Sequence, residues 1–253
     1  MIDTHCHLSD TKYDGEVEDI VNNFLSAGLE FAVTIGYDNI NNKRSKKIAG
    51  KYDHVYYTIG IHPDDCDSYD EAEIESYLSA NDPKLVAVGE IGLDYYHNKD
   101  NKDKQKQVFI SQIDLANKYH LPIVIHCRDA YGDMLEILKK YAPFKNGAVM
   151  HCYSGSLEFA REIIKLGIKI SFTGSVTFKN AHNLHEVAKN IPLDSFFFET
   201  DSPYMTPEPF RGKRNEPRNV YLVAEYVASL REMDTEELIT ITDENARKFY
   251  RMN

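Results

Sequence analysis

Short runs of Val, Ile, Leu and Phe alternate along the whole chain with longer stretches in which apolar residues return every three or four positions. The short runs predict strands at Ile2–His7, Phe31–Gly36, Val55–His62, Leu85–Asp94, Pro122–Arg128, Ala148–Cys152, Lys169–Gly174 and Phe196–Asp201. The longer stretches predict helices that include Glu16–Ala27, Gln105–Tyr119, Met134–Tyr141, Leu157–Leu166 and Val220–Met233. Several exit at glycine just before the next strand, as in Ala27-Gly28 and Leu166-Gly167. Many strand runs show no polar alternation, as expected when both faces of a sheet are covered.

Counted this way, the chain holds eight strand–helix units, the number that closes a parallel barrel of about 250 residues. An open doubly wound sheet is the competing arrangement. It usually carries a glycine-rich phosphate turn after its first strand, and His5-Cys6-His7-Leu8-Ser9-Asp10 contains no glycine. There is no linker-like segment, composition break or internal repeat. The expectation is an α/β fold of the (β/α)8 TIM-barrel type, one domain over residues 1–253, with Asp234–Asn253 as a terminal capping helix without chemistry.

Composition narrows the class. Hydrophobic residues at 42% and charged residues at 27% are ordinary for a globular chain. No run approaches the roughly 18 apolar residues of a membrane span, and MIDTHCHLSD has neither the basic nor the apolar region of a signal peptide. The four cysteines, Cys6, Cys66, Cys127 and Cys152, form no CxxC pair and read as reduced thiols. These features predict a cytoplasmic protein without membrane attachment, monomeric by default. The net charge of −11 argues against coating duplex nucleic acid through a broad basic face. It leaves room for an enzyme that meets a few phosphates in a metal-bearing pocket.

The informative feature is where histidines and acids fall. His5 and His7 close the first predicted strand, Glu90 lies near the end of the fourth, and His126, His151 and Asp201 end the fifth, sixth and eighth. Strand ends are where barrels of this kind collect catalytic groups. His5 and His7, two apart, leave the same strand face and can grip one ion. One lone histidine at a strand end means little, and His54, His97, His120, His182 and His185 are assigned no ligand role. The six together predict metal binding. Imidazole and carboxylate without cysteine suit Zn²⁺ or Mn²⁺, and phosphate complexes admit Mg²⁺. Six ligands exceed the needs of one four-coordinate ion and match two ions about 3.5–4 Å apart, with Glu90 as the bridge between the first-strand pair and His126/His151.

Four segments carry a family resemblance. Asp3-Thr4-His5-Cys6-His7-Leu8 resembles the opening motif of the TatD-type metal-dependent hydrolases, and Gly89-Glu90-Ile91-Gly92-Leu93-Asp94-Tyr95 resembles their central signature. His151-Cys152-Tyr153-Ser154-Gly155 and Glu199-Thr200-Asp201-Ser202-Pro203-Tyr204 resemble two later ones. The resemblance implies an amidohydrolase-like barrel with nuclease activity, typically on DNA and often from a 3′ end. It implies one ion on His5, His7, Glu90 and Asp201 and a second on Glu90, His126 and His151. Relatives in the wider superfamily bridge their metals with a carboxylated lysine, but Val86–Asp94 contains none.

The expected reaction is in-line attack of a metal-activated hydroxide on a phosphodiester of DNA, or of RNA. Glu90 bridges the ions, and Asp201 orients the water and accepts its proton, or serves as a ligand alone. Substrate contacts are expected from His62, from Arg128 (or a salt bridge to Asp129 instead), and from Ser154 ahead of a helix that Ser156 can cap. Arg211 and Arg214 lie in a local +3 segment, Pro209–Arg218, read either as a nucleic-acid rim or as solvated charge. Asp3, Asp94 and Glu199 are expected behind the ligands, Asp3 orienting a ligand imidazole. The thiols of Cys6, Cys127 and Cys152, each following a ligand histidine, should turn away from the metals. Hydrolysis of another ester or amide is the alternative enzymatic reading. A binding module without catalysis is the third, disfavoured by six intact ligands.

Overall fold

In the computed structural model, which describes residues 1–252, eight parallel strands hydrogen-bond in sequence order. They are β1 (Ile2–Cys6), β2 (Phe31–Thr34), β3 (Val55–Ile59), β4 (Leu85–Asp94), β5 (Ile123–Arg128), β6 (Ala148–Met150), β7 (Ile168–Phe172) and β8 (Phe196–Phe198). Helices α1 (Val17–Asn22), α2 (Asn39–Lys51), α3 (Glu71–Ser79), α4 (Lys102–Lys118), α5 (Tyr131–Tyr141), α6 (Leu157–Lys165), α7 (His182–Asn190) and α8 (Val220–Arg231) follow the eight strands in turn, and α9 (Thr235–Tyr250) ends the chain. The first and last strands meet through a bridge between Cys6 and Ser202, His7 N–H donating to Ser202 O at 2.7 Å and Asp201 N–H to His5 O at 2.8 Å. The sheet thereby all but closes into the (β/α)8 barrel that the pattern predicted. Among the described residues, no helix is long and apolar enough to cross a membrane.

Two apolar layers hold the barrel. The larger lies between sheet and helices and includes Leu8, Ile59, Phe109, Met134 and Phe172. The smaller draws on six strands through Ile2, Val33, Val86, Val124, Val149 and Phe197. It is closed by Ala246, Phe249 and Tyr250 of α9 and by Met252 beyond it. Thus α9 plugs the end of the barrel where the strands begin, which the expectation of a plain capping helix did not include.

The elements differ from the sequence pattern mainly at their ends. Glu16–Ala27 divides into α1 and a short 3₁₀ turn, Leu25–Ala27, which ends at Gly28 with φ of 74°. Strand β3 stops at Ile59, so His62 stands in the following loop as the cap of a 3₁₀ turn, Pro63–Ser68. Strands β6 and β8 are three residues each, leaving His151 and Asp201 beyond them. The polar helix α2 gives no strong apolar stripe; it starts where the Asp38 carboxylate accepts the Asn41 N–H at 2.6 Å.

Candidate metal centre

The six strand-end residues converge where the strands finish. Each is positioned by backbone that the barrel already uses. His5 and His7 sit on either side of the β1–β8 closure, and the backbone N–H of Asp201 is part of it. Glu90 lies in a register break of β4 between Val88 and Ile91, with its N–H donated to Gly36 O at 2.8 Å. Gly92, at φ of 151°, brings β4 against the His126 backbone, where a side chain would collide with the His126 carbonyl oxygen. Asp201 and Cys152 take left-handed backbone, φ of 52° and 44°, so strand alternation ends before the ligand loops begin.

Glu90 is the centre of the arrangement. Its Oε1 lies 2.6 Å from His151 Nε2 and 2.8 Å from His126 Nδ1. Its Oε2 faces the other pair, 3.5 Å from His5 Nε2 and 4.0 Å from His7 Nε2. Asp201 Oδ1 completes that side at 3.1 Å from His7 Nε2 and 3.6 Å from His5 Nε2. The donors therefore divide into two sets that share Glu90, one of His5, His7 and Asp201 and one of His126 and His151.

These residues fit a metal. Nε2 of His5 and His7 approach to 3.3 Å, and the His5 and His151 rings stack at 3.9 Å. Nδ1 of His5, His7 and His151 are buried without a hydrogen-bond partner. Imidazole nitrogens pressed together beside two carboxylates in a buried site are the donor set that a borderline divalent cation satisfies. Burial opposes charge on His151, but Glu90 and Glu199 hold its imidazole well above the usual range. Burial would raise the Glu90 carboxyl, yet His151, with hydrogen bonds from His126, His151 and His5, keeps it well below.

Behind the ligands lie buried carboxylates. Asp94 Oδ2 stands 3.0 Å from His126 Nε2, which fixes the tautomer whose Nδ1 faces Glu90. Asp94 Oδ1 accepts the backbone N–H groups of Tyr96 and His97, both at 2.8 Å. Glu199 accepts the Cys152 N–H and the Ser171 hydroxyl, both at 2.6 Å, and stands 3.5 Å from His151 Nδ1. Asp3 differs from expectation. It touches no ligand imidazole but accepts the backbone N–H of His5 at 3.3 Å and both N–H and hydroxyl of Thr200 at 2.9 and 2.6 Å. One strand step deeper, it meets the β8 backbone rather than a ring and so braces the closure.

The donors open into a cleft of about 690 Å³. His62, Arg128 and Ser154 line it. His62 Nδ1 accepts the Asp64 N–H at 3.2 Å, turning Nε2 toward Glu90 Oε1 at 3.7 Å, and burial followed by the His126 charge pushes its pKa down to about 3. Arg128 makes no salt bridge among the described residues; its guanidinium rests 4.0 Å over the Tyr96 ring. Ser154 shares a 3.0 Å hydroxyl contact with Tyr131, while Ser156 caps α6 by accepting the Phe159 N–H at 3.3 Å.

Arg211 and Arg214 do not reach this cleft. Arg214 donates to both carboxylate oxygens of Glu16, at 2.8 and 2.6 Å, and to Lys12 O. Arg211 lies 4.0 Å over the Phe178 ring. Glu16 takes the charge of Arg214 and Glu216 that of Arg218, and nearness in sequence to Asp201 did not bring Arg211 or Arg214 into the cleft lining.

Of the three thiols, Cys6 is fully buried, with Sγ toward Val33 O. Cys127 and Cys152 are half-buried and their residues adjoin the cleft, Cys127 packing against the core between sheet and helices and Cys152 Sγ lying 3.5 Å from the Thr173 hydroxyl. Burial pushes Cys127 up to about 12 and Cys152 well above the usual thiol range, so neither supplies a thiolate near neutral pH. Sequence reasoning missed Tyr37, Asp64, Asp65, His97, Tyr204 and Met205, which also line the cleft. Only His97 carried a signal: its spacing from Asp94 lets its Nδ1 meet Oδ2 at 3.0 Å.

Comparison with known proteins places the chain in a family. The family model described as TatD related DNase matches residues 2–251. A Bacillus subtilis protein named as an uncharacterized metal-dependent hydrolase, YabD, is 45% identical over 100% of both chains. The Salmonella typhimurium protein named 3′-5′ ssDNA/RNA exonuclease TatD is 31% identical, covering 99% of this chain and 98% of the relative. The crystal structure of YjjV, a TatD homolog from Escherichia coli K12, superposes with a TM-score of 0.95 at 28% identity, covering 100% of this chain and 98% of that one.

Proposed function

Because the chain belongs to the family of TatD-related DNases and is a metal-dependent hydrolase of that type, we propose that it cleaves phosphodiester bonds of DNA, working from the 3′ end with two divalent cations. The observation that carries this reading is the placing of Glu90, with one carboxylate oxygen toward His126 and His151 and the other toward His5 and His7. The relative named as a single-stranded DNA and RNA exonuclease supports nucleic acid as the substrate class.

His5, His7, Glu90 and Asp201 would hold one ion, and Glu90, His126 and His151 would hold the other. Bound there, Mg²⁺, Mn²⁺ or Zn²⁺ would lower the pKa of water and stabilise charge on the reacting phosphate oxygens. The protein's share of the chemistry is orientation and proton handling. Asp201, with Oδ1 at the edge of the first set, accepts the proton of the attacking water. Asp94 and Glu199 keep His126 and His151 aimed inward. Arg128 offers a fixed cation to a substrate phosphate, with Ser154 beside it as a hydroxyl donor. His62 stays neutral and presents Nε2 beside Glu90 to the departing group.

The test is digestion of a 5′-labelled single-stranded DNA oligomer by metal-stripped protein, with Mg²⁺, Mn²⁺ or Zn²⁺ restored in turn. A metal-dependent ladder shortening from the 3′ end, absent in His126→Ala, is the expected result. Intact oligomer under every ion, with release of acid or ammonia from small esters or amides, would replace this reading with the alternative hydrolase.

A further inference from the structure

The mouth of the cleft divides into three arcs of different chemistry. Loops after β8 and β2 present Met205, Tyr204 and Tyr37, and helix α7 adds Leu184. Tyr37 and Tyr204 pack edge-on to His7, with ring centres 5.1 and 6.1 Å away. Loops after β5 and β6 present Arg128 and Ser154. Between these arcs, the loop after β3 sets Asp64 and Asp65 on the wall. Asp64 Oδ2 lies 3.6 Å from His62 Nδ1 and 3.8 Å from His97 Nδ1, so it faces the site. Negative charge extends further round this side. After burial, the Asp10, Asp38 and Asp65 carboxylates are what push the Tyr37 hydroxyl upward.

Arg128 is the one Lys or Arg among the described residues that line the cleft. Lys12 rests over the Tyr204 ring at 3.9 Å outside the lining, and Arg214 is held by Glu16. A protein that grips a long strand needs a row of cations along the phosphates, and this chain, at a net charge of −11, has an acidic arc instead. The volume, about 690 Å³, falls within the ordinary range for small-molecule sites.

Resting on the phosphodiesterase reading above, we infer that this site recognises only the end of a nucleic acid chain. The terminal nucleoside lies against Tyr37, Tyr204 and Met205, one neighbouring phosphate meets Arg128, and Asp64 and Asp65 repel any further backbone. Short oligonucleotides, down to a 5′-phosphorylated dinucleotide, are then substrates as good as long strands.

The experiment compares 5′-phosphorylated thymidylate substrates of dinucleotide, hexamer and 20-mer length, using protein loaded with the ion that gives most activity. One phosphate contact predicts KM values per 3′ end within about threefold across the lengths, each rising about threefold between 50 and 200 mM salt. A KM that falls tenfold or more with length, or a 20-mer KM that rises about a hundredfold over that salt range, is the signature of several phosphate contacts and overturns the inference. The variant Asp65→Asn, which leaves the Asp64–His62 contact in place, should lower KM for the 20-mer selectively and steepen its salt dependence, with the dinucleotide unchanged. An equal effect on both substrates, or none, removes the role of the acidic arc. Failure to cleave any of the three with any ion overturns the phosphodiesterase reading itself, a result distinct from cleavage with steep length dependence.

Discussion

Where the strands begin, Phe249, Tyr250 and Met252 press an apolar plug onto Ile2, Val33, Val124, Val149 and Phe197. Where they end, the same sheet buries His5, His7, Glu90 and His151, with Nε2 of the three imidazoles crowded around the Glu90 carboxylate. Between the two lies a polar layer, Asp3 on Thr200 and Glu199 on Ser171, in which the buried carboxylates find donors. The difference shows how one fold separates stability from chemistry. The plug gains free energy by excluding water, whereas the mouth gives up stability by gathering like groups that only a cation can satisfy. The polar layer transmits the rigidity of one end to the other, because its carboxylates hold backbone beside the ligands.

That contrast can be broken from either end. The largest effect is expected from Glu90→Gln, which removes charge from both donor sets at once. Turnover should fall by about a thousandfold or more, with loss of bound metal by elemental analysis and little change in Tm of the metal-free protein. A variant that kept its metal and its rate would end the bridging role. At the other end, Phe249→Ala should cost about 3–5 kcal/mol, lowering Tm by about 10 °C. Its activity per folded molecule should be unchanged, and an equal fall in kcat would mean that plug and mouth are coupled.

Asp94→Asn examines the support behind His126. Metal affinity or activity should drop about 10- to 100-fold, read by competition with a chelator, while the fold persists. The smallest effect is expected from Arg214→Ala. This residue is tied to Glu16 outside the cleft, so its KM for an oligonucleotide should stay within about twofold of the parent. A large rise in KM would restore the basic loop to the substrate rim.

The barrel was legible because its signal is local. Apolar runs such as Phe196-Phe197-Phe198 and Ile123-Val124-Ile125 read as strands covered on both faces, and eight strand–helix units in series match the number that closes a barrel. Strand ends were less legible. His62, His151 and Asp201 lie past the last ladder residue, where loop hydrogen bonds and the left-handed backbone of Asp201 set direction in place of alternation. The basic loop misled for the same reason: charge is visible in sequence, but its partner Glu16 lies 198 positions away.

The amino-acid sequence alone determined the repeating unit and which histidines and carboxylates fall at the strand ends, since each follows from residue type and from position relative to a strand. Tertiary structure alone decided that Asp3 braces the β1–β8 closure instead of an imidazole, that α9 fills the barrel floor, and that an acidic arc rather than Arg211 and Arg214 borders the cleft. These are properties of contacts between distant segments. Backbone periodicity fixes where a side chain starts, and only the packing of the remaining chain fixes what it meets.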